Sequence, residues 1–374
     1  MKLGITSIRL AKTGGIGRYV AELAGRFARE HQVHIITGAA ECDVAGATFH
    51  LRRVYSSPVS LQVASAAYAF SNEARRLKQQ GIIELFHSQG AEAWGADVVT
   101  AHSCQKAAVN QLRKSRGGIY GILKPFEPRS NVVLAIERRN FSSNGCKRII
   151  SVSQGVKKEI MELYGVAEER VTAIPNGVDL DEFNPAMKAQ YRRPVRERLA
   201  LKDTDIMLVF TAWEFNRKGL KYIIEALPHL PADVKLVAVG GEDPISYRAL
   251  AERLSVKDRV IFPGPTKNAR EYYGAADAFV FPTAYEAFSL STLEAAASGL
   301  PVIATRVNGT EELIEDGVNG YFVKREGADI ADKIKTAIGV GLERMGASAR
   351  KTAEGYSWDR TAKETLKVYK EALE

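Results

Sequence analysis

Two glutamates stand eight positions apart in the run Glu286-Ala-Phe-Ser-Leu-Ser-Thr-Leu-Glu294. The run falls between a predicted strand, Ala278 to Thr283, and a predicted helix, about Ser289 to Ser298. In open α/β sheets ligands bind at the carboxyl ends of strands. A helix that begins there points unpaired N–H groups at the same edge and favours a phosphate. Glu286 lies just before the helix and Glu294 well inside it, so the two acids can reach different parts of one bound molecule. Carboxylates beside a phosphate site suit a ligand with both hydroxyls and phosphate, such as a nucleotide sugar. A helix cap plus a solvated glutamate fits the spacing equally well.

Other residues of the right type stand at similar places. Asn216-Arg217-Lys218-Gly219 follows a strand, and its Arg fork and Lys point charge suit a diphosphate; a solvated basic turn is the alternative. Gly14-Gly15-Ile16-Gly17 follows the first strand and opens a helix. It lacks the third glycine and the acidic ribose partner of a dinucleotide fingerprint, which leaves a loop able to approach phosphate or sugar closely. His102 ends the strand Asp97-Val98-Val99-Thr100-Ala101, where a histidine is either a hydrogen-bonded structural residue or part of a site. The triplets Asp179-Leu180-Asp181 and Asp203-Thr204-Asp205 lie away from carboxyl edges and read as surface turns. His31 and His34 would share no helical face. No metal site is expected, and no nucleophile elbow or Walker loop is present.

The elements that position these residues alternate strand and helix in both halves. Strands are predicted at Lys2–Ile8, Val33–Gly38, Ala47–Val54, Leu85–Gln89, Asp97–Ser103, Arg148–Ser153 and Val171–Ile174. In the second half they fall at Ile206–Trp213, Val234–Gly240, Arg259–Pro263, Ala278–Phe281, Pro301–Thr305 and Gly320–Val323. Such alternation predicts parallel sheets covered on both faces, hence two doubly wound domains; a chain of 374 residues exceeds one ordinary core. The boundary is expected near Pro175-Asn176-Gly177, Asp181 to Pro194 reads as linker and surface, and a last helix spans about Ser357 to Leu373.

Charge is uneven. The first 180 residues carry 24 Lys and Arg against 15 Asp and Glu, the remaining 194 carry 28 against 29. The basic half points to an anionic partner, and no recognition motif for nucleic acid accompanies it. From Arg113 to Arg129, basic residues flank Gly117-Gly118-Ile119-Tyr120-Gly121-Ile122-Leu123. That composition suits an anionic membrane surface as well as an ordinary solvated helix pair. The N-terminus enters a strand without a signal-peptide plan, and the three cysteines (Cys42, Cys104, Cys146) are scattered. Both fit a cytoplasmic protein, peripheral at the inner membrane face if the basic segment binds lipid.

Taken in order, Gly14-Gly15-Ile16-Gly17, Val98–Ser103, Pro175-Asn176-Gly177-Val178-Asp179, Arg217-Lys218-Gly219, Glu286–Glu294, Gly299-Leu300-Pro301-Val302-Ile303-Ala304, Gly317-Val318-Asn319-Gly320 and Tyr356-Ser357-Trp358 resemble the retaining glycosyltransferases of family four, over nearly the whole chain. The resemblance implies an α/β protein of GT-B fold, two doubly wound Rossmann-like domains facing each other across a deep cleft. It implies an acceptor-side domain at 1–175, a nucleotide-sugar domain at 176–356, and a final helix, 357–374, packing back on the first. Glu294 would hold ribose hydroxyls and Glu286 the donor sugar. Arg217 and Lys218 would neutralise the diphosphate, and the backbone of Phe288, Ser289 and Leu290 would add donors. Gly15 would close on the phosphates and His102 contact the sugar. Many members have Gly where this chain has Ser289, a departure at the phosphate.

The implied reaction is metal-independent hexosyl transfer with retention, without cofactor, from a nucleotide sugar such as UDP-glucose to a glycolipid or glycan hydroxyl. The region Asp97 to Arg139 resembles most the glucosyltransferases of the lipopolysaccharide core. A UDP-sugar epimerase shares the architecture, and a non-catalytic nucleotide-sugar binding module is a third reading.

Overall fold

A computed structural model describes residues 1–12, 14–116 and 128–374. The chain divides into two compact units, Met1–Gly177 with Trp358–Glu374, and Val178–Ser357. In the first, among the described residues, seven strands form one sheet: β1 (Lys2–Leu10), β2 (Gln32–Ala40), β3 (Ala47–Leu51), β4 (Leu85–Gln89), β5 (Val98–Ala101), β6 (Arg148–Ser151) and β7 (Val171–Ala173). Their order is β3-β2-β1-β4-β5-β6-β7, all parallel. The second holds β8 (Ile206–Thr211), β9 (Val234–Val239), β10 (Val260–Gly264), β11 (Ala278–Phe281), β12 (Val302–Thr305) and β13 (Gly320–Val323). Their order is β10-β9-β8-β11-β12-β13, again all parallel. Strands such as β4 and β11 are buried at every residue, as expected where helices cover both faces. The order reverses beside β1 and beside β8, and ligands bind at such switch points.

The terminal helix, Trp358–Leu373, buries Trp358, Thr361, Ala362, Thr365, Val368, Tyr369 and Ala372, one stripe at helical spacing. It belongs to the first unit. Tyr369 Oη lies 2.6 Å from His87 Nδ1 on β4, and Arg26 Nε donates to Asp359 at 2.6 Å.

One expectation is corrected. The segment 181–194 is not linker throughout: Met187–Arg198 is a helix that contains Pro194 and buries Met187, Val195 and Arg196. Local sequence reads Pro194 as a breaker. Tertiary contacts override it, because the helix packs tightly on Arg270–Ala275, where a Cβ on Gly274 would come 3.1 Å from the Met187 carbonyl.

Buried titratable groups of the first unit give its stability an unusual pH profile. Beyond the Ile5↔His87 pair the β1–β4 register ends, and Glu92 fills the gap by accepting from Ile8 N at 3.0 Å. Burial raises the pKa of Glu92 to about 7 and that of Glu137 to about 7. Their contribution to stability is complete below pH 4.5 and is lost as pH rises to 7. Burial lowers His87 and His102 to about 3, so their contribution is complete above pH 6.5 and is lost as pH falls toward 3. Glu73, held down to about 2 by Arg76 and then Arg52, contributes above pH 4.5 and loses that contribution as pH falls to 2. Two opposing pairs therefore offset one another between pH 7 and 4.5, and only losses remain below. The melting temperature of the first unit is expected to stay nearly level from pH 7 to 4.5 and to drop steeply under 4.5. A scan showing steady decline from pH 6.5 downward would contradict this assignment.

Candidate active site

The carboxyl ends of β8 and β11 are neighbours because these strands pair, Ala278 with Leu208 and Phe279 with Val209. The chain leaving β8 makes one helical turn, Phe215–Lys218, closed by Gly219 at φ +87°. A Cβ on Gly219 would lie 2.2 Å from the Pro282 carbonyl in the loop after β11, so glycine is required both by conformation and by this approach. The Ala284 N–H donates to the Arg217 carbonyl at 3.0 Å, which ties the two loops together.

This closeness builds a charged cluster. Lys218 Nζ donates to Glu286 Oε1 in a short ion pair. Arg217 Nη1 is 3.5 Å from the same oxygen, and the Thr283 hydroxyl lies 3.1 Å from it. Arg217 is braced by the Glu214 carboxylate at 2.6 Å and the Tyr285 carbonyl at 2.9 Å. Glu286 is 8% exposed. Burial lowers the pKa of Lys218, and Glu286 acts against that shift. An ammonium can donate three hydrogen bonds, so pairing with Glu286 leaves Lys218 able to bind phosphate oxygens as well. Charges in so dry a place act more strongly than in water.

The helix Leu290–Ala297 begins at Ser289, whose hydroxyl accepts from Thr292 N at 3.2 Å and from the Thr292 hydroxyl at 2.8 Å. This gives a physical account of serine in place of glycine: the side chain is the N-cap. It satisfies the third helical N–H and leaves the backbone from Ser289 to Ser291 outside the helical ladder. Phe288 is buried and lies under Gly309, where a Cβ would come 2.8 Å from Phe288 Cα. Glu294 is half-buried, one turn into the helix.

Gly15 and His102 belong to the first unit, at the carboxyl edge of its sheet. Gly14 has φ +99°, and among the described residues, chain neighbours aside, no atom lies within 4 Å of a Cβ built on Gly14 or Gly15, whereas Gly17 would strike the Arg9 carbonyl at 2.5 Å. Gly17 is thus needed for packing and Gly15 is open to close approach. His102 Nε2 lies 2.9 Å from Gln89 Oε1 and the ring meets Tyr19 edge-on at 4.8 Å. Gln89 Oε1 can only accept, so the neutral imidazole carries its proton on Nε2.

The structure brings Arg217, Lys218 and Glu286 into direct contact, with Phe288, Ser289, Leu290 and Glu294 following on the same loop and helix. Asp179 and Asp205 close turns, accepting from the N–H groups of Asp181 and Lys202 at 3.0 Å and 2.8 Å. Residues 117–127 of the Arg113–Arg129 segment lie outside the described residues. Sequence reasoning missed Arg325, just beyond β13. Its Nη2 donates to the Asn216 and Arg217 carbonyls at 3.1 Å and 3.5 Å, which fixes the turn that carries both cations. Its place at a strand's carboxyl end was the signal that could have found it. Thr283, which faces Glu286, was missed for want of any charge.

Comparison with known proteins bears on the family and the fold. The family described as Glycosyltransferase Family 4 matches residues 13–182, and that described as Glycosyl transferases group 1 matches residues 204–339. An uncharacterized glycosyltransferase of Methanocaldococcus jannaschii is 30% identical over 282 residues, 73% of this chain and 71% of that one. A D-inositol 3-phosphate glycosyltransferase of Acidothermus cellulolyticus is 28% identical over 96% of this chain and 86% of its own. Among solved structures, WaaG, a glycosyltransferase involved in lipopolysaccharide biosynthesis, superposes with a TM-score of 0.81 at 22% identity, covering 97% of this chain and 98% of its own. HepE of Anabaena in complex with UDP-glucose gives 0.73 at 17% identity over 99% and 100%. The α/β fold with two Rossmann-like domains, expected from the sequence, is that of these GT-B proteins.

Proposed function

This chain belongs to the group 1 and family 4 glycosyltransferases, and from that premise we propose that it transfers a hexose from a nucleoside diphosphate to an acceptor hydroxyl with retention at the anomeric carbon. The observation that carries the reading is the cluster at the second sheet's switch point: two cations on one turn, packed against a buried carboxylate. As the bond from C1 to phosphate breaks, negative charge grows on the departing diphosphate. Lys218 and Arg217 are placed to stabilise it, without a divalent metal, and electrostatic stabilisation of this kind is usually the largest catalytic term. Glu286 takes the donor's sugar hydroxyls and Glu294 the ribose. The resemblance adds Gly15 and His102 as donor contacts. UDP-glucose is the donor we favour, supported by the complex of HepE.

The acceptor reading is an anionic molecule, which suits the basic first half. Two kinds are suggested by similar proteins, one a D-inositol 3-phosphate glycosyltransferase and one a glycosyltransferase involved in lipopolysaccharide biosynthesis; the lipopolysaccharide-type acceptor is the one proposed here. Incubation with UDP-glucose in EDTA, with core lipopolysaccharide in anionic vesicles in one arm and D-inositol 3-phosphate in another, tests this. Transfer to the glycolipid with an α-linked product by NMR is the expected result. Transfer only to the inositol phosphate would move the acceptor. Conversion of the sugar without any acceptor would identify an epimerase. Turnover lost in EDTA and restored by manganese would overturn the metal-free mechanism.

A further inference from the structure

Trp213 is 71% exposed, two residues beyond the end of β8 and four before Arg217. Isolated apolar side chains on a surface need no explanation. This one has a bed made for it. The neighbouring strand β9 is followed by Gly240 and Gly241, and a Cβ on Gly241 would fall 2.2 Å from Trp213 Cζ3 and 2.5 Å from Cε3. The Cζ3–Cε3 edge of the indole therefore abuts the Gly241 backbone, an approach that only glycine permits. A Cβ on Gly240 would in turn meet the Ala212 carbonyl at 1.9 Å, so the residue before Trp213 is also seated against this glycine pair. The loop is held in place from the same side: the Glu242 carboxylate accepts from the Phe215 N–H, at the start of the turn that carries Arg217 and Lys218. What results is a large ring pinned along one edge, its π-surface exposed, on the loop that leads into the turn of Arg217 and Lys218.

We propose that Trp213 is the stacking platform for the nucleobase of the donor. The inference rests on the reading of Arg217 and Lys218 as diphosphate ligands. A nucleoside diphosphate gripped there extends its base one ribose away, and a base needs an apolar face to replace water. Trp213 offers that face just past the carboxyl end of β8, in the loop that leads to Arg217 and Lys218. Every base has a π-face, so stacking is tolerant of base identity. Trp213 then adds affinity for nucleoside diphosphates in general, and discrimination among bases must come from hydrogen bonds elsewhere.

Calorimetric titration of the full-length protein with UDP, ADP, GDP and inorganic pyrophosphate tests this, on the unmodified chain, Trp213→Ala, Trp213→Phe and Lys218→Ala. Trp213→Ala is expected to weaken binding of the nucleoside diphosphates roughly tenfold and to leave pyrophosphate unchanged. Trp213→Phe, which keeps a ring, should retain most of the affinity. Unaltered nucleotide affinity in Trp213→Ala, or an equal loss for pyrophosphate, overturns the stacking role while Lys218→Ala still weakens every probe. An acceptor KM that rises in Trp213→Ala with nucleotide affinity intact would likewise assign the indole to the acceptor instead. If Lys218→Ala leaves both nucleotide and pyrophosphate binding untouched, the phosphate reading itself fails and this inference falls with it.

Discussion

Lys218→Ala is expected to lower turnover on the order of 10²–10³-fold, the loss typical of one preorganised donor to a developing anion. Lys218 is desolvated, and its charge is kept in place by Glu286 and the Phe281 ring 4.9 Å away. A cation held there before the reaction has no solvent shell to rearrange when charge appears on the leaving diphosphate. Arg217, 3.5 Å from the same carboxylate, is already engaged with Glu214 and the Tyr285 carbonyl, so it cannot fully replace the missing ammonium. The loss should appear in kcat as well as in kcat/KM, because the interaction strengthens as the bond breaks. Steady-state kinetics with a donor and acceptor that support turnover, alongside a melting curve to confirm folding, would measure it. A folded variant within fivefold of the parent enzyme would refute the assignment.

The second large effect concerns stability. Arg196 is 1% exposed, yet each of its three guanidinium nitrogens donates a hydrogen bond. It donates from Nε to the Ala275 carbonyl at 3.0 Å, from Nη1 to the Lys202 and Asp205 carbonyls at 3.0 Å and 2.9 Å, and from Nη2 to Asp277 at 2.5 Å. Asp277 also accepts from Met207 N at 2.8 Å, at the amino end of β8, and from Arg192 at 2.8 Å. One guanidinium therefore joins the Met187–Arg198 helix, the following turn and two central strands. Arg196→Ala leaves several buried carbonyls and a carboxylate short of donors. It is expected to destabilise the second unit by roughly 3–5 kcal/mol, a fall on the order of 10 °C in melting temperature for a unit of this size. Urea unfolding followed by far-ultraviolet circular dichroism would read it. Loss of less than 1 kcal/mol would show that water enters and satisfies these groups.

Arg196 also marks where local reading of the chain ends. Its helix contains Pro194, and nothing within a window of ten residues announces four acceptors contributed from 202, 205, 275 and 277. Lys218 and Glu286 were each recognisable as candidates from type and position, but their contact joins residues 68 apart. Arg325 and Thr283 were not recognised, since an arginine after a strand and a threonine before an acid resemble many surface residues. The His87–Tyr369 contact spans 282 residues and has no local signature at all.

By itself the sequence determined the alternation of strand and helix, and through it the parallel sheets, because continuous apolar runs and amphipathic periods are properties of neighbouring residues. It also determined that Gly15, His102, Arg217, Lys218 and Glu286 stand at strand ends, since a strand's carboxyl end is read directly from where its apolar run stops. Only the tertiary structure decided which ends are adjacent. The order β9-β8-β11 places the turn after β8 against the loop after β11, turns Lys218 toward Glu286 and sets the edge of Trp213 against Gly241. Strand order is set by the burial of whole sheet faces and the geometry of crossover connections, which are summed over a domain and leave no mark in any short stretch of chain.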